Sequence, residues 1–341
     1  MTKLAINGFG RIGRAVFRKI LKDYPSLKIV AINDLTDPSI IAHLLRYDTL
    51  YGTYDNRVKG LDHELLIDGV SKGRKVKLFA EKDPSKLPWK ELGVDIVLEC
   101  TGRFTDYDGA SKHIEAGAKK VILSASSKSP DKISSYVLGV NAQDFDPDKD
   151  QVMDMASCTT NCLAPIVHVL NNNLGVVKGF MTTVHSYTND QRLLDLAHND
   201  LRRARAAALN IIPTTTGAAR AIGRIIPELD KKIDGISLRV PTPTVSILDF
   251  FCELKEKTTK EDLNYLFKKE SNKKYLSGIL GVEDAPLVSS DYVGSSFSAV
   301  IDSSLTMANG KMVKIVAWYD NEWGYACRLA DFSNLVAEKI K

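Results

Sequence analysis

The stretch LAINGFGRIGRAVFRKILKDYPSLKIVAIND, Leu4 to Asp34, decides the fold. LAINGF (4–9) has the apolar character of a buried strand. GRAVFRKILKDY (13–24) sets Val16, Ile20 and Leu21 on one helical face, and KIVAIND (28–34) is a second strand. Strand, glycine turn, helix and strand are complete within about 34 residues, the size of a βαβ crossover. Gly8, Gly10 and Gly13 fit G-x-G-x-x-G at the strand-to-helix turn. Glycines so placed allow a tight turn, close backbone approach to a pyrophosphate, and close helix–strand packing; the helix N-terminus adds free N–H groups. Asp34 ends the second strand about 20 residues past the motif, where a carboxylate accepts a ribose 2′-hydroxyl and repels a 2′-phosphate. The expected cofactor is NAD rather than NADP.

Outward from this unit, VDIVLECTG (94–102) and KKVILSA (119–125) are continuous apolar runs suited to a buried parallel sheet. SKHIEAGA (111–118) supplies a helix between them, closed by Gly117. The second half has another rhythm. GFMTTVHS (179–186), DGISLRV (234–240), TVSILDFFCEL (244–254), SSFSAVID (295–302) and MVKIVAWYD (312–320) read as strands with long connections, as in a mixed domain on a larger antiparallel sheet. Residues Thr188 to Pro213 are rich in Arg and Asn and form a loop long enough to be functional. GYACRLADFSNLVAEKIK (324–341) is a final helix.

A chain of 341 residues implies two domains. With 44% hydrophobic and 26% charged residues it has the composition of a soluble globular protein. No run of about 18 apolar residues suggests a membrane span. The N-terminus reads as a strand rather than a signal peptide, so a cytoplasmic location is the default. A formal charge of +4 does not argue for nucleic acid as the primary partner, and suits anionic small molecules if the charges converge. Five scattered cysteines do not form a disulfide framework.

Two of those cysteines lie in DMASCTTNCLAP (154–165). No flanking ligands at metal spacing accompany them, so no metal site is expected. Their three-residue spacing is not C-x-x-C. If Ser157 caps a helix, Cys158 stands at its N-terminus, where the macrodipole favours thiolate. Cys162, one turn further in, reads as a small buried apolar residue. A nucleophilic thiol needs a base. His43, His63 and His113 sit in surface-like helical or turn contexts, and His198 lies in the Arg-rich loop. His168 is roughly 15 Å along the helix at about 1.5 Å per residue. His185 ends an apolar strand before a polar loop and is the favoured partner; a structural hydrogen-bonding histidine is the alternative. Thr214, Thr215, Thr216 and Gly217, taken alone, read as a capped helix start.

Taken together, INGFGRIGR (6–14), ASCTTNCLAP (156–165), TTVHSYTNDQ (182–191), DLRRARAAA (200–208), IIPTTTGAA (211–219), RVPTPTVS (239–246) and WYDNEWGY (318–325) resemble phosphorylating glyceraldehyde-3-phosphate dehydrogenase across the whole chain. The resemblance implies a homotetramer in which the Arg-rich loop touches a neighbour's cofactor site. It implies that Cys158 attacks the aldehyde of glyceraldehyde 3-phosphate, that His185 moves the proton, and that inorganic phosphate releases an acyl phosphate from a thioester. By the same resemblance Thr188, Arg239 and Arg203 bind the substrate phosphate. Ser157, Thr159, Thr216 and Gly217 bind the attacking phosphate. Arg11 and Ile12 reach the pyrophosphate by backbone, Asn321 fixes the nicotinamide carboxamide, and Tyr325, Lys82 and Ser124 are further cofactor contacts.

The implied fold class is α/β: a Rossmann-type dinucleotide-binding domain (1–157, completed by the helix 322–341) and an α+β catalytic domain (158–321, with the loop near 186–210) on a mixed, largely antiparallel sheet. Two positions depart from the family. Asp154-Met155 replace a usual Ser-Asn, and Ala197 stands where NAD-specific members carry Pro, which points to NAD preference with relaxed use of NADP. The rival readings are the same chemistry on erythrose 4-phosphate, a cofactor-free cysteine acyl-transferase or hydrolase, and a nucleic-acid or surface-binding second role.

Overall fold

The strand Thr2–Asn7 is buried at every residue but Lys3, and everything in the first half is arranged around it. In this computed structural model, which describes residues 1–68 and 74–340, the chain divides into two units. The first comprises residues 1–136, 144–156 and the segment from Ala326; the second comprises 137–143 and 157–325.

The first unit holds a nine-stranded sheet. Its order is Ser134–Ser135, Val152–Asp154, Lys120–Leu123, Ile96–Glu99, Thr2–Asn7, Leu27–Asn33, Arg74–Phe79, Glu64–Asp68, Arg57–Leu61. The first seven run parallel and the last two close antiparallel. Strand order reverses at Thr2–Asn7, which has Ile96–Glu99 on one side and Leu27–Asn33 on the other. The C-terminal ends there form the crevice where ligands of such sheets bind. The helix Arg11–Asp23 buries Val16, Phe17 and Ile20. The helix Tyr107–Glu115 starts before the expected SKHIEAGA because Asp106 caps it, its Oδ1 accepting the Gly109 N–H at 2.7 Å. His113 on that helix is not surface-like: it is fully buried, with Trp89 Nε1–H donating to Nδ1 at 3.0 Å. At the departure from the family pattern, Asp154 is fully buried. Its Oδ1 accepts the N–H of Ala156, a residue at φ 51°, and its Oδ2 accepts the Ser127 N–H.

The second unit is built on an eight-stranded mixed sheet. Its long central strand Val176–Ser186 pairs parallel with Ile233–Val240 and antiparallel with Ser246–Leu254. The parallel register sets His185 opposite Arg239. The helix Cys158–Leu174 is buried from Thr159 to Val167 and continues through Pro165. The threonine run does not simply open a helix: Ile212–Thr215 is an edge strand against Ile233–Val240. Pro213 is tolerated there because an edge leaves one side of the ladder unpaired. Among the described residues no helix is long and apolar enough to cross a membrane.

Candidate active site

In the first unit a cleft of about 290 Å³ opens at the strand ends, lined by Gly8, Gly10, Asp34, Lys82, Thr101 and Phe104 among others. Gly8 has φ +89°, and a Cβ there would lie 2.6 Å from the Thr101 nitrogen. A Cβ on Gly13 would lie 2.3 Å from the Gly8 carbonyl oxygen. Gly10 is different: nothing lies within 4 Å of its missing Cβ, and no side chain caps the helix it opens. A helix start with no side-chain cap and open space over Gly10 presents the positive end of its dipole to the cleft, so the residues present fit a dinucleotide pyrophosphate. Asp34 is bolted to the turn: Oδ2 accepts the Phe9 N–H at 2.7 Å and Oδ1 the Thr36 N–H at 2.9 Å. Arg11 sends its side chain to Asp48 at 2.5 Å, over the Tyr51 ring, and Ile12 lies in the same first turn. Ser124 is not among the residues lining the cleft; its N–H donates to the Glu99 carbonyl. Thr101, Arg103 and Phe104 line the cleft and were not singled out in the sequence. The available signal was position: ECTGRF follows a parallel strand's C-terminal end, as NGFG does.

In the second unit Ser157 caps the helix, its Oγ accepting the Thr160 N–H at 3.1 Å, so Cys158 is the first helical residue. Cys158 Sγ lies 3.5 Å from His185 Nε2. Nδ1 of His185 is 2.7 Å from the Ser186 carbonyl and 2.8 Å from Arg239 Nη1. A carbonyl only accepts and a guanidinium only donates, so Nδ1 satisfies one or the other at a time. With Nδ1–H on the carbonyl, Nε2 faces the thiol as an acceptor. Burial, then Arg239, pushes the imidazole down to about 3. The thiol departs from the sequence expectation. Burial raises it, outweighing Arg239 and the hydrogen bonds from Thr159 and the helix start. The dipole's contribution is present and is exceeded by desolvation. Cys162 is fully buried, and burial raises its thiol further, consistent with an inert apolar role.

Around this pair Arg239 Nη1 also donates to the Ser186 carbonyl (3.1 Å) and to Thr188 Oγ1 (3.2 Å). Thr188 and Arg203 both donate to Asp190, and Arg203 Nε donates to Thr214 Oγ1 at 3.0 Å. Thr159 Oγ1 meets the Tyr319 hydroxyl at 2.9 Å, and that hydroxyl meets Thr183 Oγ1 at 2.7 Å. Tyr319 was not foreseen, because it comes from a strand far along the chain. Thr216 Oγ1 accepts the Ala218 N–H, and Gly217 opens the helix Ala218–Ile225. Asn321 is buried, its Oδ1 accepting from the hydroxyls of Ser186 (2.9 Å) and Ser246 (3.0 Å). Tyr325 is buried. No cluster of ligands suited to a metal occurs among the described residues.

A Rossmann-type unit with a glycine turn and a carboxylate just past its second strand, and a second unit carrying a thiol–imidazole pair and an arginine, point to the class of nucleotide-dependent oxidoreductases. The chain belongs to the glyceraldehyde-3-phosphate dehydrogenase family. Residues 2–107 match that family's NAD binding domain and residues 157–321 its C-terminal domain. The chain is 52% identical over 338 residues to glyceraldehyde-3-phosphate dehydrogenase of Geobacillus stearothermophilus, covering 99% of this chain and 98% of the relative. It is 49% identical to glyceraldehyde-3-phosphate dehydrogenase 2 of Synechocystis sp. over the full length of both chains. To a chloroplastic glyceraldehyde-3-phosphate dehydrogenase of Arabidopsis thaliana it is 54% identical, over 99% of this chain and 75% of the relative.

Proposed function

We propose that this protein oxidises glyceraldehyde 3-phosphate with NAD and inorganic phosphate to 1,3-bisphosphoglycerate. The observation that carries the proposal is Cys158 Sγ at 3.5 Å from His185 Nε2, on a helix N-terminus, in a member of this family. Residues 1–157 with 322–341 serve the cofactor, and 158–321 serve the reaction. His185 Nε2 takes the thiol proton, the sulfur attacks the aldehyde carbon, and the imidazolium returns that proton to the carbonyl oxygen, giving a neutral hemithioacetal and a free imidazole. His185 then removes the hydroxyl proton as the carbon gives up hydride and becomes a thioester. Phosphate attacks the thioester carbon and the Cys158 thiolate leaves. NAD, when bound, is the hydride acceptor. The Cys158 N–H and His185 stabilise negative charge on the reacting oxygen.

Arg239 and Thr188 hold the substrate phosphate, which competes with Asp190 for Thr188 and Arg203. Ser157, Thr159, Thr216 and Gly217 hold the attacking phosphate. In the first unit, the N–H groups of Arg11 and Ile12 serve the pyrophosphate, and Lys82 and Ser124 support the nucleotide. Asn321, whose oxygen accepts from two serine hydroxyls, serves the nicotinamide carboxamide, and Tyr325 is a further cofactor contact.

A homo-oligomer, a tetramer in this reading, is supported by exposed apolar residues in the second unit. Leu193, Leu194, Leu196 and Leu201 stand out on the Arg-rich loop, and Phe180 on the open sheet face. The location in this reading is the cytoplasm.

The test is NADH formation from D-glyceraldehyde 3-phosphate with and without inorganic phosphate, with erythrose 4-phosphate as competitor. Phosphate-dependent reduction with preference for the triose supports the proposal. Equal or better turnover of erythrose 4-phosphate, or phosphate-independent turnover, overturns it.

A further inference from the structure

The mechanism leaves unused a chain of buried polar groups beneath the nucleotide cleft. Asn7, Asn33, Glu99 and His113 are 1%, 5%, 2% and 0% exposed, a cost that the fold bears only if each group is satisfied. They are. The Glu81 N–H donates to Asn33 Oδ1 (2.8 Å), Asn33 Nδ2 to Asn7 Oδ1 (2.7 Å), and Asn7 Nδ2 to Glu99 Oε2 (2.5 Å). From the other side Trp89 Nε1–H donates to His113 Nδ1 (3.0 Å), which puts the ring proton on Nε2, and Nε2–H donates to the same Glu99 oxygen (3.1 Å). The second carboxylate oxygen accepts both the N–H (2.8 Å) and the hydroxyl of Thr101.

Asn7, His113 and Thr101 all donate to Glu99, while Asn33 is held at the far end by Glu81, whose N–H donates to its Oδ1 and whose carbonyl accepts from its Nδ2 at 2.9 Å. A carboxylate is the one side chain that accepts on both oxygens and donates nothing, so it matches the tautomer that Trp89 sets on His113 and the amide orientation of Asn7. The chain ties together the C-terminal ends of Thr2–Asn7, Leu27–Asn33 and Ile96–Glu99 and the segment just past Arg74–Phe79. Asn7, Asn33, Glu81 and Thr101 themselves line the cleft. Thr101 is also the wall against which Gly8 packs, at a distance that leaves no room for a Cβ.

We infer that Glu99 is a positioning residue for the dinucleotide: without touching the cofactor, it fixes the width of the cleft by holding Thr101 and Asn7. The inference rests on the cofactor assignment proposed above. Glu99→Gln puts a donor where four donors converge, so either Asn7 and His113 or Thr101 lose an acceptor. The swap Asn7→Asp with Glu99→Gln moves the carboxylate across the same hydrogen bond. The relocated carboxylate would then accept from the new amide opposite it and from His113 Nε2, which already lies 3.4 Å from the Asn7 nitrogen.

The experiment is NADH binding, followed by nucleotide fluorescence, on the full-length protein, alongside kcat, KM for NAD, and alkylation of Cys158 by iodoacetamide. Glu99→Gln is expected to raise the NADH Kd and the KM for NAD at least tenfold. kcat at saturating NAD should stay within threefold and alkylation should not change. The double variant should recover most of the affinity. An unchanged Kd for Glu99→Gln overturns the inference, and so does a loss that the double variant fails to recover. If Glu99→Gln does not fold, Asn7→Asp alone, which sets a second carboxylate against Glu99 in place of the Asn7 donor, must raise the Kd several-fold, and an unchanged value overturns the inference. Wild-type protein that binds no NADH would instead overturn the cofactor assignment.

Discussion

The dinucleotide turn of the first unit and the thiol site of the second solve recognition in opposite materials. The turn is backbone: Gly8 and Gly13 pack where no Cβ fits, Gly10 leaves open space, and the side chain beside them, Asp34, is pinned by two backbone N–H groups. The thiol site is side chain: Cys158, His185 and Arg239 come from a helix and two strands and meet through a sheet register. A backbone site fails by steric exclusion. A side-chain site fails by loss of a group or of its charge. Substitutions should therefore separate the two.

The largest separation is expected from Cys158→Ser. A hydroxyl is a far weaker nucleophile, so phosphate-dependent turnover should fall by about 10³-fold or more, as when other covalent nucleophiles are removed. NADH binding measured by fluorescence should stay within a factor of about two, since the first unit is untouched. Cys162→Ser, one turn deeper and without contact to His185, should retain substantial activity. Normal turnover in Cys158→Ser would remove it from the nucleophile's role.

Gly8→Ala is the mirror experiment. At φ +89° with a Cβ 2.6 Å from the Thr101 nitrogen, an alanine must push the turn away from the strand end. Strain of about 1–3 kcal/mol or more should weaken NADH binding by about tenfold to 100-fold, while alkylation of Cys158 proceeds at the wild-type rate. Equal losses in both readouts would mean that the two sites are not separable.

The charge side of the comparison appears in pH. His185 is held neutral, pushed down to about 3 in the folded protein against about 6.5 in the unfolded chain. Below about 6.5 the unfolded state binds a proton that the folded state does not, so stability rises with pH across this window. The contribution is complete above the unfolded value and is lost as pH falls toward 3, by up to about 1.4 kcal/mol per pH unit. Urea unfolding of wild type and His185→Asn between pH 4 and 7 checks this, since the variant should show a shallower slope. Parallel slopes would mean that His185 does not titrate on unfolding.

The same contrast explains what could be read from the sequence. The βαβ unit, its glycines and Asp34 are contiguous, and the chemistry of a backbone turn is written in the residues that form it. The long strands of the second unit were legible because their apolar alternation is local. The Cys158–His185 pairing was readable as two candidates, but its geometry depends on strand order, which no local pattern carries. Tyr319 and Thr101 were missed for that reason, since each reaches its site through pairing between distant segments. His113 was misjudged because a polar residue on a short helix looks exposed until the Trp89 and Glu99 that satisfy it are known. The strand Ile212–Thr215 was hidden by Pro213 and a threonine run that also suits a helix start. The thiol's direction was misjudged because the helix dipole can be read from sequence and burial cannot.

The smallest expected effect sharpens the point at the one side chain in the backbone site. Asp34 uses each carboxylate oxygen to accept a backbone N–H, and each oxygen keeps a second lone pair for a ribose hydroxyl. Asp34→Asn keeps the shape but removes the charge and one of the two acceptors. Either Phe9 or Thr36 then loses its partner. Repulsion of a 2′-phosphate falls, so the ratio of kcat/KM for NADP over NAD should rise by about tenfold, equivalent to about 1.4 kcal/mol. Part of that change should come from poorer NAD, because an orphaned Phe9 N–H loosens the turn that Gly8 and Gly10 form. An unchanged ratio would mean that the carboxylate serves only to brace the turn. Selectivity between the two nucleotides would then have to come from elsewhere in the chain.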